Sequence, residues 1–289
     1  MATTSEKRET FRRMHESGCF VLPNPWDVGS ARYLQGLGFR ALASTSSGAA
    51  WSLGAPDNAI SLEQAIAHVA ALVAATDLPV NADFEHGFAD DPEDVARHVA
   101  RCLETGVAAL SIEDSTGEQA TPLYELSRAV ERIQAARAAV DEAGHGAGHG
   151  AGALLVGRAE CFLTGHPEPL GEAIRRLRAY AAAGADVLYA PGLRTREEIA
   201  AVVAAVAPKP VNVLALPGMR VVELAELGVR RISVGGGLAR AAWGGFLRAA
   251  SEIAEAGTFT ALGEAPPGRQ LDAFFTADLA RRRSGKELP

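Results

Sequence analysis

The chain has 289 residues and a formal net charge of −7, and 48% of its residues are hydrophobic. An acidic protein repels polyphosphate backbones, which argues against nucleic acid as a partner. No apolar run is long enough to cross a bilayer, and the charged segment Met1–Phe11 is unlike a signal peptide. Three cysteines, at Cys19, Cys102 and Cys161, fit neither a disulfide framework nor a metal site. These features predict a cytoplasmic protein with a large apolar core and reduced thiols.

Short apolar runs alternate along the chain with longer, Ala-rich segments. Strands buried on both faces are expected to be continuously apolar, and eight runs meet that expectation. The candidate strands are Phe20–Leu22, Ala41–Ser44, Val80–Ala82, Ala109–Ile112, Leu154–Gly157, Val187–Ala190, Val211–Ala215 and Arg231–Val234. Apolar residues recur at helical spacing between them, as in Leu62–Thr76, Glu93–Glu104 and Leu170–Ala183. Eight such units predict a (β/α)8 TIM barrel rather than an open sheet.

The ends of several predicted helices are marked by a glycine, which permits a left-handed C-cap. These glycines precede the second, fourth, sixth and eighth strands, at Gly38, Gly106, Gly184 and Gly228. We therefore expect one domain over residues 1–289, with a barrel core at about 18–256 and a C-terminal extension over 257–289.

Two segments lie outside the repeated units. Gly144–Gly152 is low in complexity and is interpreted as a flexible loop before the fifth strand, with metal binding by its two histidines as the alternative. Gln270–Arg282, in the extension, has a helical pattern and could pack on a neighbouring subunit.

Polar residues follow the predicted strands, where this fold places its active sites. The third strand is followed by Asp83, Glu85 and His86, the fourth by Glu113 and the fifth by Arg158. The remaining candidates are the group Thr45–Gly48 with Asp57 after the second strand, Asn212 within the seventh, and Gly235–Gly237 after the eighth.

Carboxylates at neighbouring strand ends, without cysteine, suit a hard cation such as Mg²⁺, with Mn²⁺ as an alternative. Arg158 can hold a substrate carboxylate through its planar fork, and backbone amides around Ser47 and Gly48 can hold another oxygen. Together these features predict a site for a chelating 2-oxo acid or its enolate. The alternative for any single acidic residue here is a helix N-cap, and for Gly235–Gly237 a tight turn instead of a phosphate site.

At these residues the sequence resembles the isocitrate lyase and phosphoenolpyruvate mutase superfamily, from about Phe20 to about Trp243. The motifs that carry the resemblance occur in order and are Pro23–Asp27, Ser46–Gly48 with Leu53, Gly54 and Asp57, Asn81–Asp83, Ile112–Asp114 and Gly157–Ala159. The resemblance implies a barrel whose last helix is swapped between subunits, giving homodimers or homotetramers. It also implies a metal surrounded by Asp57, Asp83 and Glu113, and a substrate bound by Trp26, Ser46, Ser47, Gly48, Arg158 and Asn212.

Two departures from the superfamily pattern narrow the expected chemistry. Asn81 stands where the metal motif usually has aspartate, and Glu85 is the candidate to restore the lost charge. The loop from Asp114 to Thr121 has no cysteine, lysine or histidine, which argues against isocitrate lyase chemistry and disfavours phosphorus chemistry. Glu85 and His86 are then the nearest candidates for the general acid or base.

The sequence therefore predicts a Mg²⁺-dependent lyase acting on a small 2-oxo or 2-hydroxy (di)carboxylate through an enolate-like intermediate, with C–C cleavage favoured. The alternatives are a phosphonomutase, a hydrolase of oxaloacetate or phosphonopyruvate, and a non-catalytic 2-oxo acid binding protein. A Schiff-base aldolase is disfavoured because Lys209, the single lysine between Lys7 and Lys286, lies at the start of a strand.

Overall fold

Eight parallel strands form the centre of the computed structural model, which describes residues 2–146 and 152–284. The strands are β1 (Phe20–Leu22), β2 (Leu42–Ala43), β3 (Val80–Asp83), β4 (Ala109–Glu113), β5 (Leu154–Arg158), β6 (Val187–Tyr189), β7 (Val211–Leu214) and β8 (Arg231–Ser233). Their order in the sheet is β1-β8-β7-β6-β5-β4-β3-β2. The amide of Ala43 donates to the carbonyl of Pro23, just after β1, at 3.1 Å, so the two ends of the sheet meet. The predicted (β/α)8 barrel is confirmed, and no predicted strand end is more than one residue from the observed one.

Helices surround this sheet. They are α1 (Thr4–Met14), α2 (Val28–Gly36), α3 (Ser46–Ser52), α4 (Leu62–Ala75), α5 (Pro92–Glu104), α6 (Leu126–Gly146), α7 (Pro169–Ala182), α8 (Arg196–Val206), α9 (Val221–Glu226), α10 (Gly237–Ala256) and α11 (Gly268–Ser284). The glycines predicted to cap helices all have a positive φ, of 87° at Gly38, 87° at Gly106, 103° at Gly184 and 86° at Gly228. No described helix has both the length and the apolar character that crossing a bilayer requires.

The first part of the predicted glycine loop belongs to α6 instead. α6 continues through Gly146, so residues 144–146 are helical instead of looped. Residues 147–151 of that predicted loop lie outside the described residues.

The N-terminal helix closes the bottom of the barrel, a role that the sequence did not predict. Phe11 is fully buried and packs with Phe20 and the small residues inside the strands. Polar side chains attach the helix to the barrel: Lys7 Nζ donates to the Thr76 carbonyl at 2.7 Å, and Arg8 Nε donates to the Val107 carbonyl at 3.0 Å. α1 therefore separates the barrel interior from solvent at the end opposite the candidate site.

The C-terminal extension packs on α2, and its predicted helix is confirmed as α11. Arg32 of α2 and Asp278 of α11 form a buried ion pair at 2.6 Å. The Phe274 ring lies over Gly36, where a Cβ atom would come within 2.5 Å of its Cε2. By contrast, α10 buries only Ala239 among its residues and leaves Trp243, Phe246 and Leu247 exposed.

Candidate functional site

A cavity of about 180 Å³ opens at the C-terminal ends of the strands. That is smaller than the ~300–1,000 Å³ typical of pockets for drug-sized ligands, so it suits a compact metabolite. The residues that line it are Asn24, Ala43, Ser44, Thr45, Ser46, Ser47, Asp57, Asn81, Asp83, Ser111, Arg158, Leu163, Tyr189, Pro191, Asn212, Leu214, Arg231, Ser233, Gly235 and Gly236. The structure thus brings together Ser46, Ser47, Asp57, Asp83, Arg158 and Asn212 from the predicted site.

Arg158, the last residue of β5, is the centre of a group of buried carboxylates. Its Nη1 lies 3.1 Å from Asp83 Oδ1 and 3.0 Å from Glu113 Oε2, while its Nε donates to Glu160 Oε1. Burial alone would lower the pKa of Arg158, but the charges of Glu113 and Glu160 outweigh it and hold that pKa well above its usual value. The guanidinium predicted to bind a substrate carboxylate is therefore already engaged by three protein carboxylates.

Asp83 is fixed by the loop after β2 as well as by Arg158. Its Oδ2 accepts from the Ser46 amide at 3.0 Å and from Ser46 Oγ at 3.1 Å. Its own amide donates to Ser44 Oγ at 2.8 Å. Ser46, predicted to contact substrate, thus orients this carboxylate with its amide and its hydroxyl. Ser46 and the neighbouring Ser47 both line the cavity.

Glu85 is a buried carboxylate that faces this acidic group. It is 2% exposed, its backbone has a φ of 46°, and its Oε1 has no hydrogen-bond partner among the described residues. Burial, together with the charges of Asp83 and Asp57, raises the pKa of Glu85 to about 8. A left-handed backbone at a non-glycine residue is uncommon, and such strain concentrates at functional sites.

The carboxylates outnumber the cations around this end of the cavity. Burial raises the pKa of Glu113 well above its usual value, although Arg158 acts against that shift. At the cavity rim, burial and the charge of Asp83 raise the pKa of Asp57. The group as a whole sets one guanidinium, Arg158, against the carboxylates Asp57, Asp83, Glu85, Glu113 and Glu160. Such crowding favours a bound cation.

Oxygen ligands without cysteine or histidine are what Mg²⁺ prefers. No three described Asp, Glu, His or Cys side chains converge as direct ligands of one ion. A cation that keeps several of its waters, as Mg²⁺ does, still fits this arrangement because it needs only one or two direct carboxylates.

Five predicted residues are not among those that line the cavity: Trp26, Gly48, Glu85, His86 and Glu113. His86 turns beside Phe88, with ring centroids 5.9 Å apart, and its carbonyl accepts from the buried Arg132. Burial and the charge of Arg132 lower the pKa of His86. The Cβ of Trp26 packs against Gly48, where an added Cβ would lie 2.8 Å away. These positions favour a loop role for His86 and close packing for Trp26 and Gly48.

The inner end of the cavity holds polar residues from inside the strands, of which Asn212 was predicted and Arg231 and Ser233 were not. Arg231 lies 2% exposed in β8 and donates to Asn212 and Asn81, while Asn212 Nδ2 donates to Ser233 Oγ at 2.9 Å. A signal for Arg231 and Ser233 was present in the sequence, because both are polar residues inside an otherwise apolar strand. Lys209, whose Nζ donates to the Ala185 carbonyl at 2.8 Å, is not among the cavity residues, as predicted.

Proteins of known sequence or structure share this architecture. A protein of Burkholderia cenocepacia J2315 assigned to the lyases or mutases superposes with a TM-score of 0.88 at 47% identity, covering 94% of this chain and 97% of that one. A crystal structure of oxaloacetate acetylhydrolase with its product oxalate gives a TM-score of 0.83 at 25% identity, covering 99% of both chains. The oxaloacetate decarboxylase of Rhodopseudomonas palustris is 30% identical over 273 residues, which is 92% of this chain and 88% of that protein.

The family model for phosphoenolpyruvate phosphomutase matches residues 11–254, well over half of the chain. This match includes every strand of the barrel and every carboxylate of the acidic group. The predicted resemblance is confirmed: the chain belongs to the phosphoenolpyruvate phosphomutase family.

Proposed function

We propose that this protein is a Mg²⁺-dependent lyase that cleaves a C–C bond in a small 2-oxo or 2-hydroxy dicarboxylate. Family membership supports the predicted class, an enzyme of lyase or mutase type. The observation that carries the proposal is a group of four carboxylates at the C-terminal ends of β3, β4 and β5, joined by Asp57 from the segment after α3, with Arg158 as its single arginine. Two of the similar proteins act on oxaloacetate according to their names, which supports a diacid of that size.

Asp57, Asp83 and Glu113 would hold the metal, chiefly through its waters, with Glu85 adding negative charge next to them. Mn²⁺ has similar ligand preferences and is expected to substitute. When bound, the ion stabilises negative charge that develops on a substrate oxygen. Ser46 and Arg158 hold Asp83 in place, and burial keeps Glu85, Glu113 and Glu160 out of bulk water.

Phosphorus–carbon chemistry is the second candidate, because the matching family model is that of a phosphomutase. The same cavity and acidic group would serve a mutase, a hydrolase or a protein that binds a 2-oxo acid without turnover. Products separate these activities. A C–C lyase releases a 2-oxo acid from oxaloacetate or a branched 2-hydroxy diacid, whereas phosphonopyruvate turnover is visible by phosphorus NMR.

The oligomer proposal rests on α10. This helix exposes Trp243, Phe246 and Leu247 and contacts the following turn, residues 260–264, more than any strand of its own barrel. We propose that a second copy of the chain covers this face, giving a homodimer or homotetramer. Light scattering coupled to size exclusion tests this directly, and a monomer at micromolar concentration would contradict it. The cytoplasmic location stays a prediction.

The first test is thermal unfolding with Mg²⁺, with oxalate, and with both together. Oxalate resembles the enolate of pyruvate. A ligand at about a hundredfold excess over its Kd stabilises the folded state by about 2.7 kcal/mol, or about 4–5 °C in a domain of this size. We expect that shift only when both are present, and we expect Asp83→Asn to lose it. Asp272→Asn, the same change at an exposed position in α11, is the matched control. The absence of a shift in the unsubstituted protein would refute the metal site.

A further inference from the structure

A buried guanidinium lies at the inner end of the cavity, below the acidic group. Arg231 begins β8, lines the cavity and is 2% exposed. Its Nε donates to Asn212 Oδ1 at 2.9 Å and its Nη1 donates to Asn81 Oδ1 at 3.1 Å. Both acceptors are neutral amides, so Arg231 is held in place without its charge being neutralised.

No carboxylate within residues 2–146 and 152–284 forms an ion pair with Arg231. Burial lowers its pKa to about 10, and the opposing influence comes from Tyr189. The guanidinium therefore stays protonated at neutral pH. His15, on the side of α1, adds no second positive charge, because burial and the charge of Arg231 lower the pKa of His15 to about 3 and keep it neutral. Buried charges in proteins are normally paired, so this one lacks its expected partner.

The two arginines that line the cavity are therefore in opposite situations. Arg158 contacts three carboxylates, whereas Arg231 contacts two amides. The cavity consequently has an acidic end near the strand termini and a cationic end inside the barrel. A ligand that suits both ends carries one group for a metal ion and a second group that is anionic.

We propose that Arg231 is a specificity-determining residue that binds the second carboxylate of a dicarboxylate substrate. This inference rests on the proposed function and deepens it by naming the residue that distinguishes a dicarboxylate from a monocarboxylate. An Arg fork pairs with a carboxylate through charge-assisted hydrogen bonds, and the pairing is strong where water is excluded. The identity of residue 81 determines whether Arg231 has a counterion. An aspartate there would lie within hydrogen-bond distance of Arg231 and neutralise its charge, whereas Asn81 leaves that charge for the ligand.

The experiment compares racemic malate with racemic lactate, two 2-hydroxy acids of which malate alone has a second carboxylate. Calorimetric titrations use the full chain with saturating Mg²⁺. We expect the unsubstituted protein to bind malate at least about tenfold more tightly than lactate, the scale of a buried charge-assisted contact. Arg231→Met should bring that ratio close to one, mainly by weakening malate. The variant is expected to fold, because the charge that it removes has no ion-pair partner. A ratio near one in the unsubstituted protein, or a ratio that survives in Arg231→Met, would overturn the proposal.

A second variant keeps Arg231 and supplies its missing counterion. Asn81→Asp should weaken malate relative to lactate by about tenfold or more, and this ratio cancels any effect of the added charge on Mg²⁺ that both ligands share. Gln134→Glu adds the same charge on an exposed face of α6 and should change neither. A malate-to-lactate ratio that does not fall in Asn81→Asp would contradict the proposal. The shift with Mg²⁺ and oxalate, measured on the same samples, reports separately on the proposed function, so a retained shift with an unchanged malate-to-lactate ratio in Arg231→Met sinks this inference alone.

Discussion

Replacing Asp278 by asparagine should release the C-terminal helix from the barrel. Asp278 is 1% exposed, and its two oxygens accept from Arg32 Nη2 at 2.6 Å and from Arg32 Nε at 2.8 Å. Arg281 and Arg282, on the same helix, also contact it but reach solvent. Arg32 is 5% exposed, so its charge cannot be rehydrated without movement of α11.

Removing one partner of a buried ion pair typically costs about 3–5 kcal/mol. The lower value applies here, because Arg32 still donates to the Ala75 carbonyl after the substitution. A cost of about 3 kcal/mol raises the population of undocked α11 about a hundredfold. Trypsin cleavage after Arg281–Arg283 follows that population when docking is faster than cleavage, so its rate should rise by a similar factor. Asp272→Asn, exposed on the same helix, is the control.

The pH dependence of this effect has a definite sign. Burial acts to raise the pKa of Asp278, but hydrogen bonds from Arg32 and Arg281 outweigh it and hold the pKa below its usual value. The stabilisation is therefore complete above the unfolded-state pKa of about 3.9 and is lost as the pH falls through the folded-state value. Urea unfolding should separate Asp278→Asn from the unsubstituted protein at pH 7 and converge with it at the acidic end. A cleavage rate equal to that of the control would refute the reasoning.

Three further substitutions test other parts of the structure. Arg158→Met leaves buried carboxylates without a cation, so their folded-state pKa values should rise. The thermal midpoint of this variant should then fall further at pH 8 than at pH 5 and should recover when Mg²⁺ is added. Tyr180→Phe removes a 2.5 Å hydrogen bond to the buried Asp114 and should lower the free energy of unfolding by about 1–3 kcal/mol in urea titrations. Gly36→Ala places a Cβ against Phe274 and should speed trypsin cleavage of α11, an effect that Phe274→Ala added to it should reduce.

The barrel was predictable because its strands are buried on both faces. Val187–Tyr189 and Leu154–Gly157 are buried throughout, and their continuous apolar sequence shows that burial directly. The ends of helices were equally predictable, because Gly106 and Gly184 adopt the left-handed conformation that glycine favours. Both signals are local, so a single sequence contains them.

The features that the sequence did not predict depend on contacts between residues that are far apart in the chain. α1 carries one fully buried apolar residue, Phe11, and attaches through Lys7 and Arg8, so its sequence is that of a solvated helix. The acidic group was predicted in part because Asp83 and Glu113 end their strands. The excess of carboxylates over cations in this group was not predicted, because Glu160 lies two residues after Arg158 and only the folded backbone turns it back toward the guanidinium. The predicted substrate contact of Arg158 lacked that information.

Metal and dicarboxylate should bind cooperatively, and the two ends of the cavity should contribute differently to that coupling. A ligand oxygen next to the metal makes the coupling, which by linkage must raise both affinities by the same factor. Arg231 donates its hydrogen bonds to Asn212 and Asn81 and to no carboxylate of the acidic group. It should therefore strengthen the binding of malate equally with and without Mg²⁺. Titrations of malate give its affinity at saturating Mg²⁺ and its affinity without Mg²⁺. The ratio of these two affinities should agree within about twofold between the unsubstituted protein and Arg231→Met, although Arg231→Met binds malate more weakly under both conditions. A ratio that collapses in Arg231→Met would mean that the cationic end orients the ligand on the metal, and that binding at the two ends is one event rather than two.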